Sequence, residues 1–222
     1  MIISPLYIAL IVATLVIGFG ATAYVNSQLK KYTKVPSSRN ITGAETARRM
    51  LAANGVTGVT LREGSAGQDH FDPRDNSITL DPEAYHGTSI TAIATACHEV
   101  GHAIQFAQGY SPMKFRSALV PVVNLASNAW MFVLFAGIFL SLAGLIDLAI
   151  ILYAAAVIFQ IVTLPVEFNA SKRAMAYLGT TGITQTEQSS AFSVLRACAF
   201  TYVAAALTSI LQLLYLLTLR DN

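Results

Sequence analysis

Charge is scarce in this chain. Only 12% of its 222 residues are Asp, Glu, Lys or Arg, while 54% are hydrophobic. An ordinary soluble domain is about 25% charged, so that class is excluded. Cysteine is scarcer still: Cys97 and Cys198 alone cannot make a disulfide framework. No Lys/Arg cluster is interleaved with stacking aromatics, which excludes nucleic acid as a partner. Internal repeats and low-complexity tails are missing too.

What is present is four long apolar runs. Pro5–Val25 and Leu119–Leu142 carry no charge, although Asn124, Ser127 and Asn128 interrupt the first half of the second. Leu145–Leu164 carries only Asp147, and Ala197–Leu219 carries none. Each is long enough to cross a hydrocarbon core, which takes about 20 residues. The lipid bilayer is therefore a partner, and the predicted fold class is a polytopic α-helical membrane protein with four transmembrane helices. The predicted segments are a first span over 1–26, a polar segment over 27–117, a transmembrane hairpin over 118–166, a second polar segment over 167–196 and a fourth span over 197–222. Thirteen of the fourteen Lys and Arg residues fall in or beside the two polar segments; only Arg220 lies beyond the fourth run. The positive-inside rule then makes both polar segments cytoplasmic and puts both termini outside, with the short loop at Gly144–Asp147. Ala21-Thr22-Ala23 has the small residues of a signal-peptide cleavage site. However, Met1–Pro5 has no positive charge and Lys30-Lys31 follow the apolar run, which favours an uncleaved anchor.

In the first polar segment, Asn26–Asn40 is a basic connector. Thr42-Gly-Ala-Glu45 has the form of a capping box for a short helix. Ala47, Met50 and Leu51 form its buried face, Arg48 and Arg49 its solvated side, and Asn54-Gly55 its stop. Val56–Leu61, His70–Asp72 and Ser77–Leu80 are predicted as two or three short strands, the last two a hairpin around Pro73-Arg74-Asp75-Asn76. His70 and Asp72 either bridge that turn or line a cleft. Tyr85 and His86 are either packed or solvated loop residues, or groups that polarise a substrate carbonyl.

A second helix follows, capped by Thr88 or Ser89 and ended by Gly109, with an apolar stripe of Ile90, Ile93, Ala94, Cys97 and Ile104. It contains His98-Glu99-Val-Gly-His102. Residues four apart share a helix face, so two imidazole nitrogens can converge on one ion, and Zn²⁺ suits such ligands. Glu99 sits beside the pair, placed to take a proton from metal-bound water, which is the arrangement of zinc peptidases. Cys97 points about 100° away from His98 and is a poor ligand candidate. The bland alternative is a satisfied pair of helical histidines beside a salt-bridged glutamate.

A catalytic zinc takes three protein ligands and keeps the fourth position for water. Gln105 and Gln108 occupy the positions where one group of zinc peptidases carries Gly and the third His, so that group is excluded. Glu167, just past the third apolar run and on the same predicted side as His98 and His102, is the favoured third ligand, because an ionisable group so close to hydrocarbon is usually functional. The alternatives are a structural ion pair for Glu167, or His70 or His86 as third ligand; Asp147 is predicted at the opposite face.

The elements Thr42-Gly-Ala-Glu-Thr-Ala-Arg, Asp69-His-Phe-Asp-Pro-Arg74, His98-Glu-Val-Gly-His-Ala-Ile-Gln105, Glu167-Phe-Asn-Ala-Ser and Thr201-Tyr-Val-Ala-Ala resemble the YugP-type bacterial membrane zinc metallopeptidases across nearly the whole chain. The chain is more distantly similar to HtpX-type membrane proteases, in which an aspartate stands where Ser171 is found here. The resemblance implies a small cytoplasmic α+β zincin-like (gluzincin) domain, one Zn²⁺ per chain and an endopeptidase of the bacterial inner membrane. Asp72, Asn169 and Ser171 are candidates to support the metal ligands.

The expected reaction is hydrolysis of peptide bonds in membrane or membrane-proximal proteins. Zinc bound by His98, His102 and Glu167 activates a water, and Glu99 acts as general base. His70, Tyr85, His86, Arg173 and Tyr177 are candidates to stabilise the oxyanion. An accessory membrane protein or a second copy of the chain is a conceivable partner. Two rival readings stand beside this one. An intramembrane protease would use Ser89–Gly109 as a fifth span, which puts Glu167 across the bilayer from the histidines. A scaffold with a structural zinc would need four protein ligands, where three good ones appear.

Overall fold

The computed structural model describes residues 5–220. Its elements, in order, are α1 (Pro5–Tyr32), α2 (Gly43–Ala53), β1 (Thr60–Glu63), β2 (His70–Asp72), β3 (Ser77–Leu80), α3 (Pro82–His86), α4 (Ile90–Ala107), α5 (Ser111–Phe139), α6 (Ala143–Leu178) and α7 (Gln185–Arg220). Among the described residues, α1, α5, α6 and α7 are long and apolar enough to cross a bilayer, and α4 is not in that set. This is a membrane protein of four candidate spans and a small sheet.

Two compact units are present. One gathers Lys114–Pro165 with the described parts of Met1–Thr22 and Thr201–Asn222. Large apolar side chains such as Leu125, Phe132 and Phe139 project from it exposed, as a lipid-facing surface requires. Tyr7 meets Tyr215 with ring centroids 5.0 Å apart, and Trp130 meets Tyr153 at 4.7 Å. Asp147, the lone charge of its run, is 2.9 Å from Arg220 Nε.

The other unit comprises Ala23–Met113 and Val166–Phe200. Its three-stranded sheet has the order β1-β3-β2. β2 and β3 form the expected antiparallel hairpin, with His70 opposite Thr79 and Asp72 opposite Ser77. β1 starts at Thr60 instead of Val56 and pairs with β3 in parallel, Thr60 opposite Ser77 through Glu63 opposite Leu80. All four residues of β3 are buried, as suits the central strand. The helix starts follow their side-chain chemistry. Thr42 Oγ1 accepts the Glu45 N–H, Asp81 the Ala84 N–H and Ser89 Oγ the Ala92 N–H. The box at α2 is only half closed, because the Glu45 carboxylate pairs with Arg49 at 2.8 Å.

α4 is the centre of this unit, with fourteen of its eighteen residues buried. A helix buried on nearly every side reads as apolar all round, which is why Ser89–Gly109 mimics a membrane span in sequence. Its Ile93 and Ile104 pack with Ile78, Leu80, Leu178 and Leu195 into one core. Each such side chain contributes roughly 1.5–3 kcal/mol.

The tightest constraint lies where α4 meets α6. A Cβ placed on Gly101 would fall 2.7 Å from the Ala170 carbonyl oxygen and 3.0 Å from its Cα. Those are backbone atoms, which cannot swing aside as a flexible side chain would. Gly101→Ala is therefore expected to force α4 and α6 apart and destabilise the protein by about 1–3 kcal/mol. Thermal unfolding of the purified chain, read with its zinc content, checks this; an unchanged Tm with full zinc would contradict it.

Candidate metal centre

The α4–α6 contact brings together residues that are 61 or more positions apart in the chain. His98 and His102 stand one turn apart on α4, their rings 4.8 Å apart between centroids and nearly perpendicular. Glu167 approaches from α6. Its Oε2 is 3.2 Å from His98 Nε2 and 3.4 Å from His102 Nε2. The carboxylate is 1% exposed, against 12% for the His98 side chain and 8% for that of His102. His98 is thus the member most open to approach. Glu99 is buried as well.

Each ring is held from behind. His98 Nδ1 is 3.2 Å from Ser171 Oγ, and His102 Nδ1 is 3.0 Å from Gln105 Oε1. The Gln105 amide nitrogen donates to the Val166 carbonyl at 2.7 Å and to Asn169 Oδ1 at 3.0 Å. Two oxygen acceptors on that side leave its Oε1 for His102, so the imidazole presents Nδ1–H to Gln105 and turns Nε2 to Glu167. Asn169 Oδ1 also accepts from Arg173 Nε at 2.8 Å, and Arg173 Nη1 donates to Gln108 Oε1 at 2.8 Å. A continuous chain of hydrogen bonds therefore runs from His102 through Gln105, Asn169 and Arg173 to Gln108, lacing α4 to α6. Burial alone would lower the His102 pKa, but the adjacent Glu167 and Glu99 carboxylates outweigh it and raise the pKa.

These donors fit a small cation. A tetrahedral ion with bonds of about 2.0–2.1 Å separates its donors by about 3.4 Å. One ligand atom from each of His98, His102 and Glu167 can be chosen so that all lie within 4.8 Å of one another. Two imidazoles and a carboxylate suit zinc, and Nδ1–H bonds to neighbouring oxygens are the usual support of its histidines. Cys97 is fully buried, and burial pushes its thiol well above the ordinary range, so it is kept from acting as a thiolate.

The remaining sequence candidates take separate places. Asn169 and Ser171 lie in the hydrogen-bonded surround just described, and Arg173 is engaged by Asn169 and Gln108. Tyr177 packs, partly buried, against the core. The Tyr85 hydroxyl accepts from Arg48 at 3.2 Å, and His86 Nε2 is 3.0 Å from Glu63, both at the exposed surface. His70 is exposed on β2, an outer strand of the sheet. Asp72 accepts the Arg74 N–H at 2.9 Å and its guanidinium at 2.6 Å, which holds its carboxyl down at about 2. That is the turn-bridging placement. In the same motif Asp69 accepts the Asp81 N–H at 2.8 Å, and burial with the Asp81 and Glu99 charges pushes its carboxyl up to about 6. Gln105 went unassigned in the sequence, where it served only to exclude a longer zinc motif. Its signal was available: it lies three residues after His102, on the same helix face.

Comparison with known proteins points to zinc chemistry at a membrane. The family described as "putative neutral zinc metallopeptidase" matches residues 7–221. The chain is 45% identical over 212 residues to "Putative membrane protease YugP" of Bacillus subtilis (strain 168), covering 94% of each chain. No solved structure matches.

The support from Gln105 can be measured. Gln105→Ala frees the His102 ring and is expected to weaken zinc binding by roughly 10–100-fold. Competition with a chromophoric chelator gives the number; an affinity equal to wild type would remove Gln105 from the site.

Proposed function

Since this chain belongs to the family described as "putative neutral zinc metallopeptidase", we propose that it is a membrane-anchored, zinc-dependent endopeptidase of gluzincin type acting on membrane or membrane-proximal proteins. The observation that carries the reading is the convergence of His98 Nε2, His102 Nε2 and Glu167 Oε2 at 3.2 and 3.4 Å, with Glu99 next in sequence to the first histidine. These three residues would hold one Zn²⁺, which supplies an acidified water and a Lewis acid for the scissile carbonyl.

The chain's own residues do the rest. Glu99 takes the proton of the attacking water and passes it to the leaving amine nitrogen. Ser171 and Gln105 keep both imidazoles turned to the ion, so little reorganisation is needed at the moment of reaction. The outer edge of β2 offers main-chain groups on which an extended substrate can lie. Among the oxyanion candidates, Tyr85, His86 and Arg173 are engaged elsewhere and Tyr177 is packed in the core, which favours His70. The unit around α4 and the sheet is the zincin-like domain in this reading, cytoplasmic by the positive-inside rule at a bacterial inner membrane, with both termini outside. The structural-zinc alternative needs a fourth protein donor, and the cluster among the described residues offers three.

Glu99→Gln tests the reading. Loss of a general base costs about 10²–10⁴-fold, so cleavage of an unfolded membrane substrate should fall by that factor while stoichiometric zinc is retained. His98→Ala should lose the zinc as well. Undiminished cleavage by Glu99→Gln would refute the assignment.

A further inference from the structure

Lys172 and Arg196 have no part in the metal centre, yet the fold places them on one groove. It lies on α6 and α7 within the unit that carries the site and encloses about 400 Å³. Phe168, Met175, Phe192 and Leu195 supply walls that are almost wholly apolar, and Lys172 and Arg196 line the same space. Phe168 and Phe192 are half exposed. Arg196 is oriented by the Tyr24 hydroxyl at 3.3 Å and lies 5.8 Å from the Phe192 ring centroid. Among the described residues no carboxylate pairs with either cation. In sequence the groove's residues follow directly on the third apolar run and lead directly into the fourth.

We propose that this groove is a binding site for an anionic phospholipid, with an acyl chain along the apolar walls and the headgroup phosphate between Lys172 and Arg196. The chemistry of the groove selects that occupant. An apolar trough of this volume is within the range of small-molecule sites, roughly 300–1,000 Å³. Its two cations, at the boundary between apolar run and polar segment, are what an anionic headgroup seeks; basic pockets beside membrane helices bind such lipids. A soluble peptide would meet no hydrogen-bonding strand edge there. Ser171 also lines the groove while its Oγ reaches His98. The lipid would thus pack against the wall that holds one metal ligand.

The test uses the full chain in micelles containing equal amounts of phosphatidylglycerol and phosphatidylcholine with identical acyl chains, read by native mass spectrometry. Phosphatidylglycerol adducts should predominate and should fall roughly tenfold in the double variant Lys172→Gln, Arg196→Gln. Met175→Trp, which fills the groove, should lose them in a protein whose cations are intact. Glu99→Gln should keep them, since lipid binding does not depend on peptide hydrolysis. Equal retention of the two lipids, or unchanged phosphatidylglycerol in both groove variants, would overturn the site. So would variants that keep the lipid but raise the KM for peptides, because the groove would then belong to substrate.

Discussion

The backbone contact between Gly101 of α4 and Ala170 of α6 is the constraint on which the rest of the unit depends. Side chains at i and i+4 of one helix can supply two ligands by themselves; a third must come from elsewhere and must come close. Glycine at 101 removes a Cβ that would collide with the backbone of the second helix. With the helices in contact, Glu167 reaches both imidazoles while the Val166 carbonyl, Asn169 and Ser171 meet Gln105 and His98. The same close approach therefore sets both the donors and their supports.

Such a centre opposes stability unless every polar group is satisfied. A carboxylate buried as deeply as Glu167 would lose several kcal/mol of hydration, and neighbouring partners must compensate it. The imidazoles, and behind them the amide and hydroxyl groups of Gln105, Asn169 and Ser171, provide that compensation. Arg173 extends the network outward to Gln108 near the end of α4. A network bonded in this way favours one geometry, which a metal ion of fixed bond length requires.

Much of this was legible in the chain and some of it was not, for physical reasons. Apolar length exposed the four spans, and local capping chemistry exposed the starts of α2 and α4, because both signals lie within a few consecutive residues. The pairing of His98 with His102 is a property of helical periodicity. Glu167 stood out because an acid beside an apolar run is costly. The parallel pairing of β1 with β3 gives no local sign: four residues carry no mark of their partner, and β2 lies between the two strands in sequence though not in the sheet. The capping box at α2 forms only in part, since Arg49 competes for the Glu45 carboxylate. Gln105 lies on the face of His102 one turn on, but the Val166 carbonyl and Asn169 that orient its amide come from α6 and leave no mark in the local sequence.

In the proposed function, three side chains from α4 and α6 hold one zinc and leave a position for water. Anomalous diffraction at the zinc absorption edge, from crystals of the full chain, tests it most directly. A single peak bonded to His98 Nε2, His102 Nε2 and the Glu167 carboxylate is expected, with a solvent oxygen as the fourth neighbour. A peak closed off by four protein donors, or one that does not touch Glu167, would contradict it.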